Sequence, residues 1–66
     1  MPSTVIANFY YDAERSTLTI TFVSGVIYKY EEVPENVYQA MKASDSKGIY
    51  FNQNIKGKYE FEKVEN

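Results

Sequence analysis

The sequence predicts an α+β fold: a three-stranded antiparallel β-meander followed by two short helices and a short C-terminal strand. Three observations carry this. Residues Thr17 to Phe22 alternate between threonine and apolar side chains, the period of a strand with one buried face. Ser24-Gly25 marks a tight turn between that strand and a second β-rich run. After Val33-Pro34 the apolar spacing widens from two residues to the three and four of a helix.

The elements follow in order. Ser3 to Tyr11 is rich in β-branched and aromatic residues and reads as the first strand, with Val5, Ala7, Phe9 and Tyr11 on one face. Asp12-Ala13-Glu14-Arg15-Ser16 is polar and makes the hairpin turn. In the second strand Leu18, Ile20 and Phe22 face inward, and Thr17, Thr19 and Thr21 face outward.

The next turn decides which way the third strand faces. A two-residue Ser24-Gly25 loop pairs Phe22 with Ile27 and puts Tyr28 and Tyr30 outside, as a stacking platform. A three-residue Val23-Ser24-Gly25 loop pairs Phe22 with Val26 and puts Val26, Tyr28 and Tyr30 inside. One residue of slip flips every side chain. The two-residue turn needs a positive φ at Ser24, whereas the three-residue loop needs it only at its last residue, Gly25. The longer loop is therefore favoured, with both tyrosines in the core and Ile27 and Lys29 outside.

Pro34 suits the first turn of a helix running to Ala43, and Glu31, Glu32 and Glu35 suit its positive end. Val37 and Met41 lie four apart with Tyr38 beside them, which makes one apolar stripe. Ser44-Asp45-Ser46 breaks this helix and caps a second one, which runs through Tyr50 and Phe51 to about Asn54. Gly48 weakens that helix by about 1 kcal/mol relative to alanine. Gly57 makes the next turn. Tyr59, Phe61 and Lys63 then alternate with Glu60, Glu62 and Val64 as a short strand at a sheet edge.

Composition limits the chemistry. A chain of 66 residues holds one core, and at this size it buries only about 60% of the surface exposed when unfolded. There is no cysteine and no histidine. Disulfides, thiolate chemistry, zinc held by those residues and haem are all excluded. Seven tyrosines and four phenylalanines are left to build the core. The N-terminal Met1-Pro2-Ser3-Thr4 lacks the basic and apolar runs of a signal peptide. No run approaches the ~18 apolar residues of a spanning helix. The expected location is the cytoplasm, with no membrane partner.

Catalysis needs a group poised near the working pH, a nucleophile beside a base, or a metal. Asp12 and Glu14 put two carboxylates on one turn, too few oxygens for a cation site, so a solvated turn is the better account. Glu31 and Glu32 are neighbours in an extended segment and point to opposite sides, which suits the helix dipole better than an acid–base pair. Three scattered glycines match no nucleotide loop. The expectation is a non-catalytic protein with no cofactor, no metal and no small-molecule substrate.

One segment has binding character. The net charge of −2 counts against a dedicated nucleic-acid binder, yet Ser46 to Lys58 holds three lysines and no acid. Lys47, Lys56 and Lys58 could neutralise phosphates, and Tyr50 and Tyr59 could stack on unpaired bases. Asn52, Gln53 and Asn54 carry amides able to read base edges. The competing account makes Phe51 and Ile55 core, the lysines a solvated face and the amides turn fillers.

The order of these motifs resembles the KTSC domain, named for the C-terminal end of some lysyl-tRNA synthetases. The residues that carry the resemblance are Leu18-x-Ile20-x-Phe22, Ser24-Gly25, Tyr28-Lys29-Tyr30 and Val33-Pro34 in the first half. Val37-Tyr38, Ala43, Ser46-Lys47-Gly48, Tyr50-Phe51-Asn52 and Ile55-Lys56-Gly57-Lys58-Tyr59 carry it in the second. It spans about Ser3 to Val64, which implies one KTSC-like domain over residues 1–66 with an ordered core of about 3–64. The family occurs as small stand-alone bacterial or phage proteins and as a synthetase tail, and this chain resembles the stand-alone kind. The resemblance implies RNA binding, suggested for the family by its association with the synthetase, and does not carry aminoacylation. Members often have arginines near the end, where this chain has Lys56, Lys58, Glu60 and Glu62.

Two functions are therefore expected to compete. The first is a small RNA-binding module for tRNA or single strands, using Lys47, Tyr50, Asn52, Lys56, Lys58 and Tyr59. The second is a protein–protein interaction module that uses a sheet edge or an exposed aromatic patch and binds no nucleic acid.

Overall fold

The computed structural model describes residues 6–64. Its elements are β1 (Ile6–Asp12), β2 (Thr17–Phe22), β3 (Ile27–Tyr30), α1 (Glu35–Ala43), α2 (Lys47–Asn54) and β4 (Phe61–Val64). The four strands form one antiparallel sheet in the order β1-β2-β3-β4, so β4 is an edge strand. This is the predicted α+β meander with its two helices and last strand.

The alternation in β2 is realised directly. Leu18 and Ile20 are fully buried, and Phe22 packs against the same core. The β2–β3 hairpin takes the three-residue loop. Phe22 N–H donates to the Val26 carbonyl at 2.9 Å, and Gly25 N–H donates to the Phe22 carbonyl at 2.8 Å. Gly25 has φ +98°, a backbone angle that side-chain-bearing residues rarely adopt. The register then places Tyr28 opposite Ile20 and Tyr30 opposite Leu18, on the core face. Tyr30 is buried, Tyr28 is partly buried and Lys29 is exposed.

Strand β1 corrects one expectation. Ile6 pairs with Phe22 but Asn8 pairs with Thr21, so Ala7 is an extra residue in a β-bulge. The bulge turns Ala7 out to solvent and brings Ile6 to the core side with Phe9 and Tyr11. Ser3, Thr4 and Val5, also assigned to this strand from sequence, lie outside the described residues. The turn after β1 is closed by its own aspartate. The Asp12 side chain accepts from Glu14 N–H at 3.1 Å, and the Asp12 carbonyl accepts from Arg15 N–H at 3.2 Å.

Helix α1 begins one residue later than the sequence implied. Pro34 has extended backbone angles (φ −65°, ψ 151°), and its carbonyl accepts from Val37 and Tyr38 N–H. It is therefore the cap residue, and Glu35 opens the helix near the positive end of its dipole. Met41 is buried, with Val37 and Tyr38 packed beside it. Tyr38 stacks on Tyr11 at 4.8 Å and meets Phe9 edge-on at 5.9 Å, which seats α1 over β1. Helix α2 is capped by Ser46, whose hydroxyl accepts from Ile49 N–H at 3.3 Å. Its Phe51 meets Phe22 at 5.6 Å and Tyr30 at 5.4 Å, which seats α2 over β2 and β3.

Leu18, Ile20, Tyr30, Val33, Met41, Phe51 and Ile55 form the core between sheet and helices. Fully burying an aliphatic or aromatic side chain of this kind contributes about 1.5–3 kcal/mol. The opposite face of the sheet presents Tyr10, Thr17, Thr19, Thr21 and Lys29, and neither α1 nor α2 packs there. Among the described residues no helix is long and apolar enough to cross a membrane.

Candidate functional site

The lysine-bearing segment is built by α2 and the turn that leaves it. Phe51 and Ile55 are pulled into the core, so the rest of the segment is held at the surface around them. The Phe51 carbonyl accepts from both Ile55 and Lys56 N–H at 2.9 Å, which ends the helix. Gly57 follows with φ +78°, and Lys58 N–H donates to the Ile55 carbonyl at 3.0 Å. This tight reversal leaves Lys56 and Lys58 exposed on either side of Gly57.

The other residues assigned to the site sit differently. Lys47 is partly buried, and its ammonium donates to the Ser44 carbonyl at 3.0 Å, so it ties α2 back to the end of α1. Tyr50 and Tyr59 are both partly buried and pack against the core. Asn52 is partly buried on α2. Asn54 donates from its amide to the Tyr50 carbonyl at 3.2 Å, and Gln53 is exposed. The segment thus brings Lys56, Lys58 and Tyr59 together at one turn, with Lys47 at the far end of the helix. The competing core assignment for Phe51 and Ile55 holds at the same time, because one face of α2 is core and the other is surface.

The electrostatics around the turn are mixed. An open cleft of about 390 Å³ is lined by Glu31, Glu32, Gly57, Lys58, Tyr59 and Glu60. Glu31 N–H donates to the Glu60 carbonyl at 2.8 Å, which fixes two of the three glutamates at its rim. Lys58 therefore shares an open cleft with three glutamates, and its attraction for a phosphate is offset there. Glu32 holds a positive φ of 57° in this loop.

Of the tyrosine motif, Tyr30 lies in the core and Tyr28, partly buried, packs against it. Tyr30 meets Tyr28 at 6.4 Å and Phe51 at 5.4 Å. Burial pushes its phenol pKa above the usual 10.0, and the neighbouring Tyr28 pushes the same way.

Sequence reasoning missed the most exposed aromatic rings. Tyr10 is 65% exposed and Phe61 is 54% exposed, more than Tyr50 or Tyr59. The signal for Tyr10 was present in the sequence, since it lies between two inward residues, Phe9 and Tyr11. Phe61 faces the core side, but it sits on an edge strand with a neighbour on one side only.

The fold and surface define a small α+β domain whose exposed residues include a lysine turn and the rings of Tyr10 and Phe61. A family model described as the KTSC domain matches residues 2–59. The chain is 34% identical to a KTSC domain protein from Yersinia pestis whose crystal structure superposes with a TM-score of 0.86. That alignment covers 98% of this chain and 94% of the other. It is 41% identical over 56 residues to an uncharacterised protein of Stutzerimonas stutzeri, covering 85% of this chain and 79% of that one. It is also 45% identical over 60 residues to a lysine–tRNA ligase of Nostoc punctiforme, covering 91% of this chain but 11% of the ligase. The chain belongs to the KTSC domain family. It spans about a tenth of the length of the lysine–tRNA ligases it matches (11% and 10% in two of them).

Proposed function

We propose that this domain is a small, non-catalytic RNA-binding module of the cytoplasm that holds tRNA or a single-stranded segment. The observation that carries this reading is the turn after α2, where Lys56 and Lys58 are both exposed in a stretch from Ser46 to Tyr59 that contains no acid. Exposed lysines on a rigid turn bind phosphates by releasing counterions, and this requires no catalytic group. Similarity to part of a lysine–tRNA ligase supports RNA as the class of partner.

The geometry ranks the candidate contacts. Lys56 leads. Lys58 contributes less, because three glutamates share its cleft. Lys47 contributes mainly by holding α2 in place through Ser44. Tyr59, beside Lys58, offers only part of its ring, and Tyr50 and Asn52 lie along α2.

A second reading, a protein-interaction module, is favoured by the helix-free sheet face and its exposed Tyr10. Salt separates the two. RNA affinity falls with a slope of about −0.7 in log K against log salt per phosphate contacted on a single strand. An apolar protein contact changes little. The test is a titration of total tRNA into wild type and the Lys56→Glu, Lys58→Glu double variant. Binding that is salt-dependent in wild type and lost in the variant is expected. A double variant that binds RNA as well as wild type rules the reading out.

A further inference from the structure

We propose that Phe61, Tyr28 and Lys63 form a stacking site for one unpaired nucleobase at the β4 edge of the sheet, with Lys63 contacting the adjoining phosphate. This rests on the RNA-binding reading and supplies its base-contacting residues.

The Phe61 ring is both exposed and braced. Phe61 is 54% exposed. Its ring is held by Tyr28 at 5.2 Å, nearly perpendicular at 87°, and by Tyr30 at 5.3 Å, tilted by 31°. Tyr30 is buried and is braced in turn by Phe51, which is 2% exposed. A chain of rings thus runs from the core to the surface and ends at Phe61. A base that stacks on a ring already held in place meets little ordering cost, and stacking tolerates any base because every base has a π-face. Tyr50 and Tyr59, the rings singled out from sequence, leave less surface for this purpose.

Strand geometry supplies the charge. Lys63 lies two residues beyond Phe61, on the same face and about 7 Å along the strand, and pairs in register with Tyr28. Lys63 is exposed. Glu62, between them, points to the opposite face, where it pairs in register with Lys29. The stacking side of β4 therefore carries an aromatic ring and a cation, and the carboxylate is turned away. Because β4 is the last strand of the sheet, an extended nucleotide backbone can run alongside it.

The chain contains no tryptophan, so Phe61→Trp places a single reporter at the site. Oligoadenylate and oligouridylate are titrated into this variant while amide shifts of the labelled wild type are followed with the same oligonucleotides. The expected result is quenching of the indole by both, stronger with the purine, and fading as salt rises. Phe61→Ala should weaken oligoadenylate binding by roughly 5- to 100-fold. Phe61→Leu, which keeps apolar packing but has no π-face, should melt near wild type and still lose that affinity. Amide shifts at Lys56 and Lys58 without indole quenching would overturn the stacking site and leave the RNA reading standing. A Phe61→Leu variant that binds oligoadenylate as tightly as wild type would overturn it as well. Neither shifts nor quenching with any oligonucleotide would overturn both.

Discussion

Replacing Tyr11 with phenylalanine removes one hydroxyl and leaves the rest of the side chain. That hydroxyl donates to the Val33 carbonyl at 2.7 Å, in a partly buried setting. Val33 is fully buried, and its own N–H is held by the Ser16 carbonyl at 2.8 Å. These two bonds fix the segment from which α1 departs, one from β1 and one from the β1–β2 turn. In Tyr11→Phe the ring still stacks on Tyr38, because that contact does not involve the hydroxyl. The loss is one net hydrogen bond plus part of the cost of leaving the Val33 carbonyl without its partner, about 1–2 kcal/mol. At about 0.05–0.15 kcal/mol per residue, a chain of this size has about 3–10 kcal/mol in total. The variant should therefore melt about 5–15 °C below wild type, from the usual 4–8 °C per kcal/mol for a small domain. Thermal and urea melts followed by circular dichroism measure this directly. A variant that melts with wild type would refute the idea that this bond anchors the approach to α1.

Three further outcomes follow from other parts of the fold. Gly25→Ala should destabilise the domain by about 1–3 kcal/mol, purely through its backbone, since a Cβ there meets nothing within 4 Å; a urea melt reads the loss. Tyr30 ionises later than a free phenol, so folding binds a proton more tightly than the unfolded chain does. Its contribution is complete below the unfolded value of 10.0 and is lost as pH climbs from there through the raised folded value, which stability measured across alkaline pH, with tyrosine absorbance alongside, should show. Of the single charge reversals, Lys56→Glu should weaken RNA binding more than Lys58→Glu, because Lys58 shares its cleft with Glu31, Glu32 and Glu60; equal losses in a fluorescence titration would contradict that ranking.

Much of the architecture was legible because it rests on local rules. The alternation at Thr17–Phe22 and the position of Gly25 together settle the hairpin register, and with it the inward placement of Tyr28 and Tyr30. The serine cap of α2 was legible for the same reason. The bulge at Ala7 was not, since nothing in Ile6-Ala7-Asn8 signals an extra residue until Ile6 is set opposite Phe22. Among the described residues, Ser16 at 54° and Glu32 at 57° take positive φ without being glycine, and composition marks neither. For the site, Lys56 and Lys58 stood out because Ser46 to Lys58 holds three lysines and no acid, and the turn at Gly57 leaves both at the surface. The role of Lys47 was hidden, because its bond to Ser44 depends on how one helix meets the next. Exposure was the least legible property. Tyr50, Tyr59 and Phe61 look equivalent in sequence, and only the packing of α2 and the edge position of β4 separate the partly buried rings from the open one.

The most direct test of RNA binding is an amide-shift titration of the isotope-labelled domain with total tRNA and with a mixed single-stranded RNA pool, at low and at moderate salt. Shifts should cluster on Lys47–Tyr59 and on β4 around Phe61 and Lys63, and fade as salt rises. An unchanged spectrum at low salt with both RNAs would contradict it and leave the protein-interaction reading in its place.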